Sequence, residues 1–155
     1  MYDDSCDNTW LMMNDIIEER PWNDFLDNTY GNSSIHAYLN GDFLTMFDHK
    51  TQNAIELVKI PFVRGNGTAG NVATLSNGLT TKAFLLSPRE LGWTDDVRRN
   101  MPQDGACIQY FSNKDITNLM NYWAYYNGST KPWWLRSPDT KSRFTAHMVP
   151  VEGND

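Results

Sequence analysis

Apolar residues recur at helical spacing in the first third of the chain. Four of them lie one turn apart: Ile35, Leu39, Phe43 and Phe47. Residues at this spacing share one face of a helix, and Asn32-Ser33-Ser34 supplies side chains that cap a helix N-terminus. The pattern predicts a helix here that Gly41 kinks or splits, followed by a second short helix from about Asp48 to Ile55.

Beyond this point the spacing changes from helical to alternating. Val58, Ile60 and Phe62 alternate with less apolar residues, as in a half-buried strand. Residues 64–80 are rich in Gly, Asn and Thr. They predict a long surface loop, a form that is uncommon in compact domains unless it has a function.

A short buried strand and a capped helix are predicted next. Residues 83–86 form an apolar run and lead into Ser87-Pro88-Arg89-Glu90. In this motif Ser caps a helix, Pro takes the first helical position and Glu reaches back to the cap amide.

The last third predicts one helix and two strands. Apolar spacing favours a helix from about residue 113 to residue 123, ending before Asn127-Gly128. Strands at 133–137 and 144–151, joined by a polar loop, then finish the chain.

Length and composition indicate one folded domain that spans residues 1–155. Apolar residues make up 40% of the chain and aromatic ones 13%, which is typical of a folded rather than a disordered protein. The formal charge of −6 repels phosphate and predicts no binding to nucleic acid. No apolar run is long enough to span a bilayer, so we expect no membrane insertion, and the first residues lack the order of a signal peptide.

No motif points to catalysis, a cofactor or a metal. The run of residues 65–70 matches the dinucleotide fingerprint by letter, but no helical pattern follows it. The sequence around Asp3, Asp4 and Asp7 does not contain the glycine and the distal glutamate of a calcium-binding loop. The histidines are too far apart in the sequence to show the spacing of zinc ligands. Cys6 and Cys107 are expected to be free thiols, with a single bridge as the alternative. We therefore expect a protein that is not an enzyme and uses no cofactor.

Aromatic residues crowd the region before the last strands. Trp133 and Trp134 must point to opposite faces of a strand, so one ring can anchor the core while the other need not. One interpretation is that both rings are packing residues and that Arg136 lies in an internal hydrogen-bond network. The other is a ligand platform of the kind that binds sugars or protein hot spots. Its candidate residues are Tyr125, Tyr126, Asn127, Trp133, Trp134, Arg136 and Asp139.

The run Trp133-Trp134-Leu135-Arg136-Ser137-Pro138 resembles the W-W-L-R-S-P hallmark of a family of uncharacterised domains in Gram-positive gut bacteria and their phages. Further matches in the same order fall near residues 33–44, 58–61 and 84–90. The resemblance implies a C-type-lectin-like α+β fold, with short helices flanking twisted antiparallel sheets and long loops carrying the ligand site. The family ends in one more strand, which would here be absent or supplied by another chain, a second copy or a virion neighbour. No calcium site is carried over.

These features together predict a binding module without catalysis. The first hypothesis is a phage or bacterial module that recognises a cell-surface carbohydrate or protein. The alternative is a small acidic phage protein that binds and inhibits an intracellular host protein. The sequence leaves the location open between a virion and the host cytoplasm.

Overall fold

The computed structural model describes residues 9–65, 72–94, 102–139 and 145–151. In these ranges helices of four to six residues accompany antiparallel strand pairs. The predicted α+β class is therefore confirmed.

Three short helices open the described fold: α1 (Ser34–Leu39), α2 (Asp42–Thr45) and α3 (His49–Ala54). The side chain of Ser33 caps α1 by accepting a hydrogen bond from the His36 N–H. Gly41, at φ −120° and ψ −103°, separates α1 from α2, and Asp48 caps α3 by accepting from the Thr51 N–H. The predicted split helix and its successor are thus confirmed.

Eight short strands form four antiparallel pairs among the described residues, β1 with β4, β2 with β3, β5 with β6 and β7 with β8. They are β1 (Val58–Ile60), β2 (Phe62–Val63), β3 (Val72–Ala73), β4 (Leu79–Thr81), β5 (Ala124–Tyr126), β6 (Ser129–Lys131), β7 (Trp133–Pro138) and β8 (Ala146–Val149). The alternating stretch predicted as a strand forms β1 and β2, which are separated at Pro61 because proline has no N–H to donate.

The segment from residue 64 to residue 86 differs from the prediction. The expected long loop contains β3 and β4, which pair back onto β2 and β1, so only part of it is irregular; residues 66–71 lie outside the described ranges. Conversely, residues 83–86, predicted as a short buried strand, are half-buried and join no ladder. The Leu85 N–H is instead satisfied by the hydroxyl of Tyr30, and the Leu86 carbonyl accepts a hydrogen bond from the Arg136 N–H.

The capping box after this segment forms a single turn rather than a helix. Ser87 Oγ accepts from the Glu90 N–H and Glu90 Oε2 accepts from the Ser87 N–H, which is the reciprocal pair that the sequence predicts. The turn then ends at Gly92, whose φ of +84° is left-handed, and the Trp93 N–H closes it on the Pro88 carbonyl. A C-terminal cap so soon after the N-terminal one leaves no room for a longer helix.

The helix predicted for residues 113–123 is wrong. The structure has α4 (Gln109–Ser112) and a 3-10 turn (Leu119–Tyr122), after which β5 begins. Asn127 and Gly128 have φ values of +50° and +78° and form the two-residue turn between β5 and β6. Asn-Gly is a strong hairpin signal, and here it starts a strand pair rather than ending a helix.

The two terminal strands are confirmed. β7 continues one residue beyond the predicted end, and β8 lies inside the predicted range, whose first residue, Phe144, is outside the described residues. Pairing of β8 with another chain stays a prediction.

The core has two clusters on the two faces of β7. The first contains Leu91, Trp93, Phe111, Tyr122, Leu135 and Val149, and the second contains Trp22, Tyr30, Ile35 and Ile60. Two side-chain bonds join residues near the first helix to the last described strands: Trp22 Nε1 donates to the Leu135 carbonyl, and Asn28 Nδ2 donates to the Thr145 carbonyl, each at 3.0 Å.

Candidate functional site

The two tryptophans of β7 lie on opposite faces, as strand geometry requires. Both rings are half-buried: Trp133 packs against the first core cluster and Trp134 against the second. Each indole N–H is also used, Trp133 donating to the Tyr122 carbonyl at 2.9 Å and Trp134 to the Arg20 carbonyl at 3.0 Å. Both rings therefore pack against the core, as the first of the two interpretations predicts, and ligand binding by the part of their surface that stays open remains a prediction.

Arg136 lies at the centre of the molecule rather than on a ligand platform. Its side chain is fully buried and forms two hydrogen bonds with Glu90, at 2.5 and 2.7 Å. The remaining donors bind the carbonyls of Pro61 at 3.1 Å, Leu85 at 3.0 Å and Asp104 at 2.6 Å. Its assignment to an exposed platform is corrected, because every guanidinium nitrogen is satisfied inside the protein.

Asp104 adds a second carboxyl group to this buried cluster. Ser137 Oγ donates to Asp104 Oδ2 at 2.7 Å, and Arg136 Nε lies 4.0 Å from the same oxygen. Burial raises the pKa of Asp104 to about 7, against the opposing effects of the Arg136 charge and the Ser137 hydrogen bond. Asp104 Oδ1 has no hydrogen-bond partner in the described structure. The cluster therefore has two carboxyl groups around one guanidinium, and burial favours a retained proton on Asp104 below about pH 7.

The hairpin of β5 and β6 presents the other predicted aromatic residues. Tyr125 is 47% exposed, Tyr126 is half-buried and Asn127 is exposed at the turn. Tyr125 pairs with Thr130 across the hairpin, and its carbonyl accepts a hydrogen bond from the Ile16 N–H at 2.9 Å. The hairpin backbone is thereby fixed on both sides.

Asp139 does not join this hairpin. It follows the last residue of β7, whereas the hairpin precedes the first, and a strand of six residues is about 20 Å long. Asp139 is half-buried, and its N–H donates to the Thr145 carbonyl at 2.9 Å. The structure thus brings Tyr125, Tyr126 and Asn127 together and places Asp139 at the opposite end of β7.

Sequence reasoning missed the N-terminal segment, residues 9–22. Trp22 at its end is buried, but five of its large apolar side chains are exposed: Trp10, Leu11, Met12, Met13 and Ile17. The sequence feature that could have revealed this segment is the apolar run Trp10-Leu11-Met12-Met13, which belongs to no predicted helix or strand. The segment lies beside the hairpin through the Ile16 and Tyr125 backbone atoms.

An open cleft of about 490 Å³ lies elsewhere, near β2 and β4. Phe62 and Leu79 form its apolar lining, and Asn32 and Arg64 contribute polar groups. Gly65 also borders it, but the rest of the glycine-rich run falls outside the described ranges.

Residues 9–65, 72–94, 102–139 and 145–151 contain neither a metal-ion cluster nor a membrane-spanning helix. No group of three or more His, Cys, Asp or Glu side chains among them could hold a metal ion. No helix among them is long and apolar enough to cross a membrane. Cys107 is exposed and unpaired there, while Cys6 lies outside the described residues.

Fold and site together define a small α+β domain with a buried Arg-carboxylate core and an exposed aromatic hairpin. Residues 7–154 match the model of a family described as Domain of unknown function (DUF6273), and the chain belongs to that family. Comparisons with curated proteins and with solved structures gave no match.

Proposed function

We propose that the chain is a non-catalytic, C-type-lectin-like binding module of phage or bacterial origin that recognises a carbohydrate or protein on a cell surface. The observation that carries the proposal is the exposure of Tyr125 on a hairpin whose backbone is fixed on both sides. An aromatic ring on a rigid backbone loses little conformational entropy on binding and can stack on a sugar or fill a protein pocket.

The burial of the charged cluster supports a binding role rather than catalysis. Glu90, Asp104 and Arg136 are fully buried, so a substrate would have to open the core to reach them. Their hydrogen bonds run mainly to one another and to backbone carbonyls, which is the pattern of a group that stabilises a fold.

The arrangement of elements supports the C-type-lectin-like part of the proposal. Short helices lie beside antiparallel strand pairs, and residues 82–94 and 102–108 form no helix or strand. Long irregular connections of this kind carry binding sites when a rigid scaffold supports them.

Binding of the fluorescently labelled protein to intact Gram-positive gut bacteria tests this proposal. We expect saturable binding that Tyr125→Ala weakens about tenfold or more, a loss of about 1.4 kcal/mol. Tyr110→Ala is the matched control, because Tyr110 is also an exposed tyrosine, 57% accessible, but lies on α4. We expect this control to bind like the unmodified chain.

Treatment of the cells identifies the ligand class. Loss of binding after protease treatment identifies a protein ligand, and loss after chemical removal of wall polysaccharide identifies a carbohydrate. Absence of saturable binding across a panel of such bacteria, or equal effects of the two tyrosine substitutions, would contradict the proposal.

A further inference from the structure

The negative charge of the protein is concentrated at one end of the sequence. Residues 1–27 contain eight of the nineteen acidic residues but only one of the thirteen basic ones, Arg20. The other 128 residues contain eleven acidic and twelve basic residues. The whole net charge of −6 therefore originates in the first 27 residues, and asymmetry of this kind is a common feature of interaction segments.

The same stretch exposes apolar side chains that a folded core would otherwise bury. Leu11 is 90% exposed and Met13 is 59% exposed, with Trp10, Met12 and Ile17 also above 40%. Single exposed apolar residues are ordinary, but a group of five within eight positions marks a contact surface. Methionine is frequent on surfaces of this kind because its flexible side chain adapts to a partner.

The backbone that carries these residues is attached to the fold at several points. The Ile16 N–H binds the Tyr125 carbonyl, the Trp10 ring lies edge-on to Phe84 at 5.7 Å, and the Arg20 carbonyl accepts from Trp134 Nε1. A segment already held in place costs less entropy to bind than a free one.

The charges around the apolar group define the partner. Glu18 pairs with Arg20, and Glu19 pairs with Lys131 at 2.9 Å. Asp15 is exposed between the apolar residues, and three further aspartates precede the segment in the sequence. The surplus charge is negative, so the complementary surface must be both apolar and basic.

We propose that residues 9–20 form a docking segment for a protein partner whose contact surface is apolar and rich in Lys and Arg. A second copy of this chain is disfavoured as the occupant by charge, because residues 9–20 contain three acidic residues and one basic one, a net −2 that each copy would bring into one interface. Anionic membranes and nucleic acids are repelled for the same reason. The inference concerns the exposed side chains of residues 9–20, which lie beside the Tyr125 hairpin, and it does not depend on the proposed function.

Calorimetric titration with three synthetic peptides of equal length tests the inference. The probe is a helical peptide of Leu and Lys; a Ser and Lys peptide of the same charge and a Leu and Glu peptide are the controls. We expect binding of the Leu and Lys peptide only, with hydrogen-exchange protection confined to residues 9–20.

Matched variants make the test specific. The combined substitutions Leu11→Ser, Met12→Ser and Met13→Ser should lower the affinity for the Leu and Lys peptide about tenfold or more. Combined Met46→Ser, Leu57→Ser and Leu75→Ser remove exposed apolar residues of similar accessibility and should leave binding within about twofold, a change of under 0.5 kcal/mol. Asp15→Asn should reduce the dependence of binding on salt.

Several results would overturn the inference. Equal weakening by the two triple variants, or equal binding of both Lys-containing peptides, would show general attraction to an acidic protein. Sedimentation that shows a dimer of the unmodified chain but a monomer of the Leu11, Met12 and Met13 variant would assign the segment to a second copy. Preferential binding to neutral lipid vesicles would assign it to a membrane.

Discussion

Arg136 and Glu90 form a bidentate ion pair that is buried from solvent. Nη1 donates to Oε2 at 2.5 Å, and Nη2 donates to Oε1 at 2.7 Å. Glu90 Oε2 also accepts from the Ser87 N–H, so one carboxylate both closes a turn and holds β7. Two sequence features that are 46 residues apart, the capping box and the W-W-L-R-S-P strand, are therefore parts of one structural unit.

Removal of the Glu90 charge should destabilise the whole domain. Glu90→Gln leaves a buried guanidinium without its main counter-ion, and breaking one partner of a buried pair costs about 3–5 kcal/mol. Urea unfolding measures the loss. Glu56→Gln is the control, because Glu56 is exposed and should change stability by less than about 0.5 kcal/mol. Similar losses in both variants would show that the ion pair does not stabilise the core.

Asp104 should make stability fall as the pH rises from about 4 to about 7. The folded chain keeps the Asp104 proton up to its raised pKa of about 7, whereas the unfolded chain releases it near the ordinary value of 3.8. The stabilisation is complete below the lower value and is lost progressively above it, by up to about 1.4 kcal/mol per pH unit.

Asp104→Asn should abolish this slope while keeping the shape of the side chain. The pKa of His36 is lowered by burial and gives an opposite slope in both proteins, so the difference between their urea midpoints at each pH isolates Asp104. Parallel pH profiles of the two proteins would refute the assignment. The charged groups that face Asp104 in this cluster are Arg136 and Glu90.

Trp133→Ala and Trp134→Ala should destabilise the protein to a similar extent. Each ring packs against its own core cluster and donates one hydrogen bond to a carbonyl. Because the rings are half-buried, we expect losses of about 2–4 kcal/mol, somewhat below those of fully buried tryptophans. Thermal melts of the two variants measure this, and a loss in only one of them would mean that the other ring is free of the core.

Two glycines should respond differently to alanine. A Cβ at Gly65 would lie 2.3 Å from Asn28 Oδ1 and 2.6 Å from backbone atoms, while one at Gly128 would meet nothing within 4 Å. Gly128→Ala should therefore cost only the strain of its left-handed φ, about 1–2 kcal/mol. Gly65→Ala should cost more, because backbone must move. Chemical unfolding of both variants checks the order, which the reverse ranking would disprove.

Local signals predicted the elements whose stability is local. Ser33 caps its helix as expected, a helix begins after Asp48 as expected, and the predicted strands around Ile60 and at β7 form. The predictions failed where a residue contacts a residue far away in the sequence, or where one turn sequence is compatible with two different structures. Asn127-Gly128 suits both a helix end and a hairpin, and only the contacts of β5 decide between them.

In the candidate site, too, the sequence predicted the local geometry but not the contacts with residues far away in the sequence. Strand alternation placed Trp133 and Trp134 on opposite faces, but it could not show that both faces are covered. Arg136 was assigned to the surface in one interpretation because no sequence pattern reveals that Glu90 and three carbonyls surround it. The exposed N-terminal segment was missed because exposure depends on which apolar side chains the folded chain leaves open to solvent.

The bonds from Trp22 to Leu135 and from Asn28 to Thr145 join residues that are 113 and 117 positions apart. During synthesis the first half of the chain emerges from the ribosome long before β7 and β8 exist. Trp22 and Tyr30 then stay without the strand that completes their burial until β7 has been made. A nascent chain of this design can form its short helices early, but it acquires its core only after β8 has been made.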